Sequence, residues 1–439
     1  MQEDGTVTPE RLIEVRDLRT HFPVRTGLLR RDTHAAVRAV DGVTFDILRG
    51  EVFGLVGESG SGKTTLGRSI LKLVQPTGGS VRYGGRDLAL LPEREMRPLR
   101  RELALIFQDP NAALNPAMTV AQGVAHPLRI HGLVGSRREA RRQVAEMLER
   151  VGLHPPDQFL DKYPEDVSGG QKQRIVIARA LITRPSFVVA DEPVAALDMS
   201  VRARVLELLL ELQRDLGLTY LFITHDLATA RFVCDRIGIL YLGNLVEWGP
   251  AKALFTEPAH PYTRALLEAI PLPDPSRRGR DKHLPTGEMP DALTPPAGCR
   301  FHPRCPAAFA PCGWEGSDLV AYLEERWTRV PPDVFEEELA ATGPLPAAEV
   351  ASDEIRFPAG DPSRLLPLLE ALRAEGTGAV FTGVTGIERD GRAVRVRFGD
   401  GPEPGLQTIG PGQVACHLHG IVRRERDRPP AHEGQHPAG

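Results

Sequence analysis

The stretch GESGSGKTT, Gly57 to Thr65, lies between an apolar run, VFGLV, and a helix-like run, LGRSILKLV. Its spacing, Gly57-x4-Gly62-Lys63-Thr64, is that of a phosphate loop, G-x-x-x-x-G-K-[ST]. Gly57, Gly60 and Gly62 let successive backbone N–H groups turn inward around an anion, with Glu58, Ser59, Ser61 and Thr65 completing the turn. The following helix adds its positive N-terminal end. Lys63 is placed to reach the β- and γ-phosphates, and the Thr64 hydroxyl to ligate Mg²⁺. A glycine-rich surface turn with a stray lysine would need neither the preceding strand nor the following helix. Strand, phosphate loop and helix together point to a triphosphate and open an α/β fold.

The rest of the chain fits that start. Its 439 residues lead us to expect two to three domains. Hydrophobic content of 41% and charged content of 26% are those of an ordinary globular protein. A net charge of -4 argues against a nucleic-acid coat and gives no reason to invoke an anionic membrane surface. No apolar run approaches the roughly 18 to 20 residues of a membrane span. The start, MQEDGTVTPERL, has no basic segment followed by an apolar core. The expected location is the cytoplasmic face of the cell (inner) membrane, peripherally, docked on a membrane protein.

Residues 1–256 alternate strands and helices. EVFGLVG, FVVADE and TYLFITHD read as buried strands, and VRARVLELLLELQRDLG as an amphipathic helix ending at Gly217. Strand, helix, strand at this spacing implies a parallel sheet. IGILYLGNLVEWG reads as a hairpin turning near Gly243 and Asn244. Residues of about 108–170 have a charged helical pattern and read as an inserted helical subdomain. Residues 257–312 are a Pro/Cys-rich extension with few regular elements. Residues 313–402 read as an inserted α+β module, with helices in DLVAYLEERW and PSRLLPLLEALRAEG and a hairpin around Asp390-Gly391. Residues 403–420 return to the extension, and 421–439 read as a disordered tail.

Further residues carry chemistry. Asp191 and Glu192 end the run FVVA, at the carboxyl end of a parallel strand, where ligands of open α/β sheets bind. Asp191 suits Mg²⁺, and Glu192 suits the general base for an attacking water. His225 ends LFIT beside them, within reach of a γ-phosphate. Ser168, Gly169 and Gly170 open the helix of VSGGQKQRIVIARAL, and its free N–H groups form a second anion site. An ordinary Ser168 helix cap is the alternative. One chain already has its phosphate loop, so the second site points to a partner chain's nucleotide.

The ordered set GESGSGKTT, FQDP, SGGQ, VVADEP, ALD and THD resembles an ATP-binding cassette (ABC) ATPase over residues of about 11–255. The resemblance implies a P-loop ABC ATPase with a helical subdomain, using ATP and Mg²⁺. It implies a head-to-tail dimer in which Lys63, Thr64, Gln108, Asp191, Glu192 and His225 face Ser168, Gly169, Gly170 and Gln171 of the other chain. Gln108 would sense Mg²⁺ and the γ-phosphate, and Asp198 would join the nucleotide contacts. HFPVRTGLLRR, AVDGVTF, IFQDPNAALNPAMTV, HPYTRALLEAIP and GCRFHPRCPAA narrow the resemblance to the ATPases of oligopeptide/dipeptide importers, most of all the second of their two paired ATPases. It implies a second ABC ATPase (a heterodimer by preference, a homodimer otherwise), two membrane permeases, and an extracytoplasmic solute-binding protein. Nickel, sugars or other solutes are alternative cargoes. Phe22 is the candidate adenine-stacking aromatic, against a plain core phenylalanine. The loop Ala195-Ala196-Leu197-Asp198 departs from the family's S-A-L-D, and the acidic approach YPEDVSGGQ is unusual.

Five cysteines are present, and Cys299, Cys305 and Cys312 cluster in the extension, with Cys416 downstream and Cys234 elsewhere. Some relatives bind a [4Fe-4S] cluster in this region, and four thiolates suit one. A zinc site completed by His302, His417 or His419, or free thiols in a packed strap, are the alternatives. Two readings compete with a transport motor. A soluble ABC ATPase acting on DNA or the ribosome commonly has two cassettes or a long coiled-coil insertion; here about 105 residues separate Lys63 from Ser168. A non-hydrolysing partner would need a broken acid, base or signature, and none is broken.

Overall fold

The computed structural model describes residues 10–24, 36–270, 287–376 and 378–420; the tail 421–439 and the segment 25–35 lie outside them. The chain divides into two units. One comprises Met1–Pro258, Leu266–Lys282 and Met289–Pro295, the other Ala259–Ala265, His283–Glu288 and Pro296–Gly439.

Among the described residues the first unit holds ten strands: β1 (Arg11–Pro23), β2 (Ala36–Leu48), β3 (Val52–Val56), β4 (Gly78–Tyr83), β5 (Arg86–Asp87), β6 (Leu103–Ile106), β7 (Phe187–Asp191), β8 (Thr219–Thr224), β9 (Arg236–Tyr241) and β10 (Asn244–Pro250). An antiparallel sheet runs β2-β1-β4-β5, and the central order is β10-β9-β3-β8-β7-β6. Every residue of β3, β7 and β8 is buried. Parallel strands covered on both faces lose the in-out alternation, so they read as unbroken apolar runs. β9, β3, β8, β7 and β6 are mutually parallel, with Val56 opposite Thr224 and Asp191 opposite Ile223. Their carboxyl ends therefore finish side by side. This places the phosphate loop after β3, His225 after β8, Glu192 after β7 and Gln108 after β6 along one rim. Phe45 stacks on Phe53 at 4.9 Å, tying the two sheets into one core with Leu66, Val189 and Leu221.

The helices after β6 are short and well capped. Thr119 and Gln122 form a reciprocal cap on Val120–Ile130, and Ser136 caps Arg137–Arg150. The latter buries Ala140, Val144, Met147 and Leu148, a helical stripe. Met199–Leu216 ends at Gly217 in the left-handed region, where the sequence placed its stop. Among the described residues no helix is long and apolar enough to cross a membrane.

In the second unit, β11 (Glu349–Val350), β12 (Glu354–Phe357), β13 (Val384–Asp390) and β14 (Ala393–Phe398) form an antiparallel sheet in the order β11-β12-β14-β13. Helices Gly316–Trp327, Pro332–Thr342 and Pro362–Glu375 accompany it, over a core of Leu319, Leu323, Ile355, Leu365, Leu369 and Val396. The hairpin turns at Gly391, with Asp390 paired to Ala393. Helix Pro332–Thr342 and strand β12 have no counterpart in the sequence reading. The chain enters and leaves this core at one point: a Cβ on Gly401 would lie 1.9 Å from the Cα of Gly313, and one on Gly313 would lie 2.9 Å from the Cα of Gly298. β15 (Gln407–Ile409) and β16 (Gly412–Val414) close the second unit as a hairpin.

Candidate nucleotide site

The phosphate loop is held open by its glycines. Gly62 has φ 100, and a Cβ there would fall 2.0 Å from the Ala39 carbonyl oxygen, so no side chain fits. Helix Lys63–Ile70 starts immediately after it. The Lys63 ammonium donates to the carbonyl oxygens of Gly57 and Glu58, both at 2.8 Å. Lys63 is buried, and burial draws its pKa below the ordinary lysine value, while the carboxylates of Glu192, Asp191 and Glu58 pull it back up.

Thr64 follows on the same helix, and its hydroxyl donates to Asp191 Oδ1 at 2.9 Å. Asp191 is 2% exposed, and that burial raises its carboxyl above the usual range; the Thr64 bond and Arg68 oppose the rise. A hydroxyl and a carboxylate in contact are a pair of hard oxygen ligands of the kind Mg²⁺ takes.

Glu192 is held in a left-handed backbone, φ 46, unusual for a residue with a side chain. Its N–H donates to Ile223 O at 3.0 Å, which fixes the strained turn. The turn aims the carboxylate at two neighbours: Gln108 Nε2 donates to Glu192 Oε2 at 3.3 Å, and His225 Nδ1 lies 3.1 Å from the same oxygen. Three residues from three strand ends thus share one oxygen. The Glu192 side chain is 16% exposed and His225 59%, so the cluster faces outward from the rim.

Helix Gly169–Leu181 is capped reciprocally by Ser168 and Gln171, with Gln171 N–H to Ser168 Oγ at 3.4 Å and Ser168 N–H to Gln171 Oε1 at 2.9 Å. The cap reading is therefore realised, yet it uses only part of the tip. Ser168 and Gly169 are exposed, and a Cβ on Gly169 would meet nothing within 4 Å. Gly170 serves packing: a Cβ there would come 2.9 Å from Val201. The sequence reading missed what fastens this helix to the segment after Gln108. Lys172 Nζ donates to Asn111 Oδ1 at 2.9 Å, and the Arg179 guanidinium donates to Ala113 O. The available signal was Asp109-Pro110, a cap followed by a first-turn proline, which fixes where Asn111 sits.

Residues 40–195 match the family profile described as ABC transporter, and residues 246–312 match that described as Oligopeptide/dipeptide transporter, C-terminal region. YkfD of Bacillus subtilis (strain 168) is 51% identical over 303 residues, 69% of this chain and 89% of YkfD. The Oligopeptide transport ATP-binding protein AppF of the same organism is 45% identical over 307 residues, 69% of this chain and 92% of AppF. This chain belongs to the ABC transporter ATP-binding family. Among solved structures, the dimer of a bacterial ABC transporter cassette is 30% identical, with TM-score 0.49, covering 54% of this chain and 98% of that one.

Two further positions of this ABC ATPase carried expectations. Phe22 lies near the end of β1, paired with Val37, and is 42% exposed, so it is not a core phenylalanine. Asp198 caps helix Met199–Leu216, accepting from Val201 N–H at 3.0 Å and Ser200 Oγ–H at 2.9 Å. Those bonds lower its pKa and keep it ionised.

The iron–sulfur expectation is not supported. Cys299, Cys312 and Cys416 are buried and Cys305 partly so. Burial pushes the Cys305 thiol up to about 12, and the Cys299 thiol higher still, with the neighbouring thiols adding to both shifts. Among the described residues no three His, Cys, Asp or Glu side chains are placed to hold a metal ion. His302 is engaged by Cys299 O and Asp318, His417 by Pro402 O and His419 by Ala259 O.

Proposed function

We propose that this chain is the ATP-hydrolysing motor subunit of a peptide importer. The observation that carries the reading is the rim itself: Gln108, Glu192 and His225 meet at one carboxylate oxygen beside the Thr64–Asp191 pair and Lys63. In this reading Lys63 and the loop N–H groups of Gly57–Thr65 hold the β- and γ-phosphates. Thr64, Asp191 and Gln108 would hold Mg²⁺, which supplies charge neutralisation at the phosphates. Glu192 takes the proton of the attacking water, while His225 and Gln108 orient that carboxylate and reach the γ-phosphate. Catalysis is then mainly positioning and charge stabilisation. The exposed tip Ser168–Gln171 and Asp198 contact the nucleotide of the partner ATPase, and Phe22 stacks on the base.

Peptide cargo is supported by the matched C-terminal region and by AppF. The partners would be a second ABC ATPase, two permeases and, indirectly, an extracytoplasmic binding protein, with the chain at the cytoplasmic face of the membrane. A groove of about 260 Å³ beside the Gln108 segment, lined by Leu71, Leu105, Phe107 and Val176 together with Arg100 and Arg179, is a place where a permease segment would dock. Co-purification of the chain with its permeases and binding protein is the test. Turnover should rise when the binding protein carries a peptide; stimulation by nickel or a sugar, and not by peptides, would overturn the cargo.

Residues 313–402 are read as an insertion in the extension, because its ends meet at Gly313 and Gly401 and its core is its own. Adjacent ends are what allow a domain to be inserted into a host. The fragment expressed alone should melt cooperatively by circular dichroism. A gradual, featureless melt would show that it depends on the strap.

A further inference from the structure

The end of β1 that carries Phe22 is fastened to the phosphate loop by groups that hydrolysis does not use. β1 slips register against β2 between Thr20 and His21, after which His21 stands opposite Arg38 and Phe22 opposite Val37. Before the slip, the Thr20 and Ser69 hydroxyls bond at 2.9 Å, joining β1 to the helix behind the loop. After it, His21 Nε2 lies 3.0 Å from Asp41 Oδ1, with the Arg38 guanidinium 3.9 Å from Asp41 Oδ2. An ionised carboxylate has only acceptors, so the imidazole donates from Nε2. The connection continues through backbone. Asp41 N–H donates to Gly243 O at 2.9 Å, and Gly243 N–H donates to Ser61 O, inside the phosphate loop, at 2.9 Å. Ala39, two residues before Asp41, is the residue whose carbonyl crowds Gly62.

Three hydrogen bonds thus lead from the His21 ring to the phosphate loop, and Phe22 is the next residue along the strand. A ring that stacks on a base must sit at a fixed distance and tilt from the phosphates, because base and phosphates belong to one molecule. We propose that His21 and Asp41 are a positioning pair that holds Phe22 in place relative to the phosphate loop and so sets affinity for the base. The pair rests on the reading of Phe22 as the base-stacking aromatic. It touches neither the phosphates nor the reacting atoms.

The test compares two ligands of the full chain by titration calorimetry in Mg²⁺: ATP, and inorganic tripolyphosphate, which has no base. His21→Ala should weaken ATP about five- to tenfold, less than the loss of a whole base–aromatic stack, and leave tripolyphosphate within about twofold. His21→Gln, which keeps an N–H donor near the Nε2 position, should restore ATP binding. The double variant with Phe22→Ala should bind ATP no more weakly than Phe22→Ala alone, since both act through one ring. Equal weakening of both ligands by His21→Ala would mean that the pair merely supports the phosphate loop, and the proposal would fall. Native ATP binding by His21→Ala, alongside weakened binding by Phe22→Ala, would overturn the pair alone. Native binding by Phe22→Ala would overturn the reading of Phe22 itself, and the pair with it.

Discussion

Replacing Glu192 by glutamine is expected to slow ATP hydrolysis by about 10²- to 10⁴-fold, the usual contribution of a general base, while leaving ATP binding close to native. The substitution keeps shape and hydrogen-bonding capacity. A glutamine can occupy the same turn, because the backbone at φ 46 is held by its bond to Ile223 O and not by the carboxylate. Its side-chain oxygen can still accept from Gln108. What it loses is basicity: an amide does not take a proton from water at neutral pH. The hydrogen bonds of Lys63, Thr64 and Asp191 do not involve Glu192, so nucleotide is still held. Two chains that bind ATP and cannot cleave it should accumulate as a dimer, provided the exposed Ser168–Gly169 tip meets the neighbour's nucleotide. Light scattering with and without Mg²⁺-ATP reads the dimer, and phosphate release reads the turnover. Unchanged turnover would remove Glu192 from the base role. Lost turnover without ATP-dependent dimers, at concentrations where native chains pair, would leave the base in place and count against the shared site.

Much of this arrangement was visible before any coordinates, for a physical reason. β3, β7 and β8 are buried on both faces, so each reads as an apolar run that ends in its functional residues. Gly60 and Gly62 take backbone that other residues adopt only with strain, and Gly57 has no room for a side chain, since a Cβ there would fall 2.2 Å from Leu240 O. What lay hidden was set by distance or by weak local patterning. That Gln108 and His225 both reach Glu192 Oε2 depends on strand order, because 84 positions separate Gln108 from Glu192. The left-handed backbone at Glu192 has no local signal, since a glutamate there looks like any other. Helix Pro332–Thr342 escaped because its apolar residues form no clear stripe. It is held by a tertiary contact, with Glu338 accepting from Arg326 at 2.8 Å and from the Trp327 indole at 2.9 Å. The cysteines were the least legible: the family resemblance suggested a cluster, and among the described residues no group of three possible ligands is placed to hold a metal ion.

Asp191→Asn should produce opposite changes in stability and activity, and both can be measured on one sample. Asp191 is 2% exposed, and burial raises its carboxyl above the usual carboxylate range. The sign follows from linkage: between the unfolded and the raised folded value, the folded chain binds more protons than the unfolded one. Stability is therefore lost as pH rises through that window, and at neutral pH the full penalty of a buried charge remains. Asparagine removes the charge and can still accept the Thr64 hydroxyl, so without nucleotide the variant should melt a few degrees higher at pH 7. The gain should shrink as pH falls through the raised folded value, where native Asp191 takes up its own proton. Activity should move the other way. An amide oxygen is a much weaker Mg²⁺ ligand than a carboxylate, and hydrolysis should fall by about 10²-fold or more, the scale of losing one preorganised electrostatic group. Differential scanning calorimetry across pH 4 to 7, beside Mg²⁺-dependent phosphate release, checks both halves. A lower melting temperature at pH 7 would show that Asp191 stabilises the empty fold, contrary to its burial. Retained Mg²⁺-dependent turnover would move the metal to other ligands. Were both changes seen together, the buried carboxylate would be a group kept at a cost to the fold because the chemistry at the strand ends requires its charge.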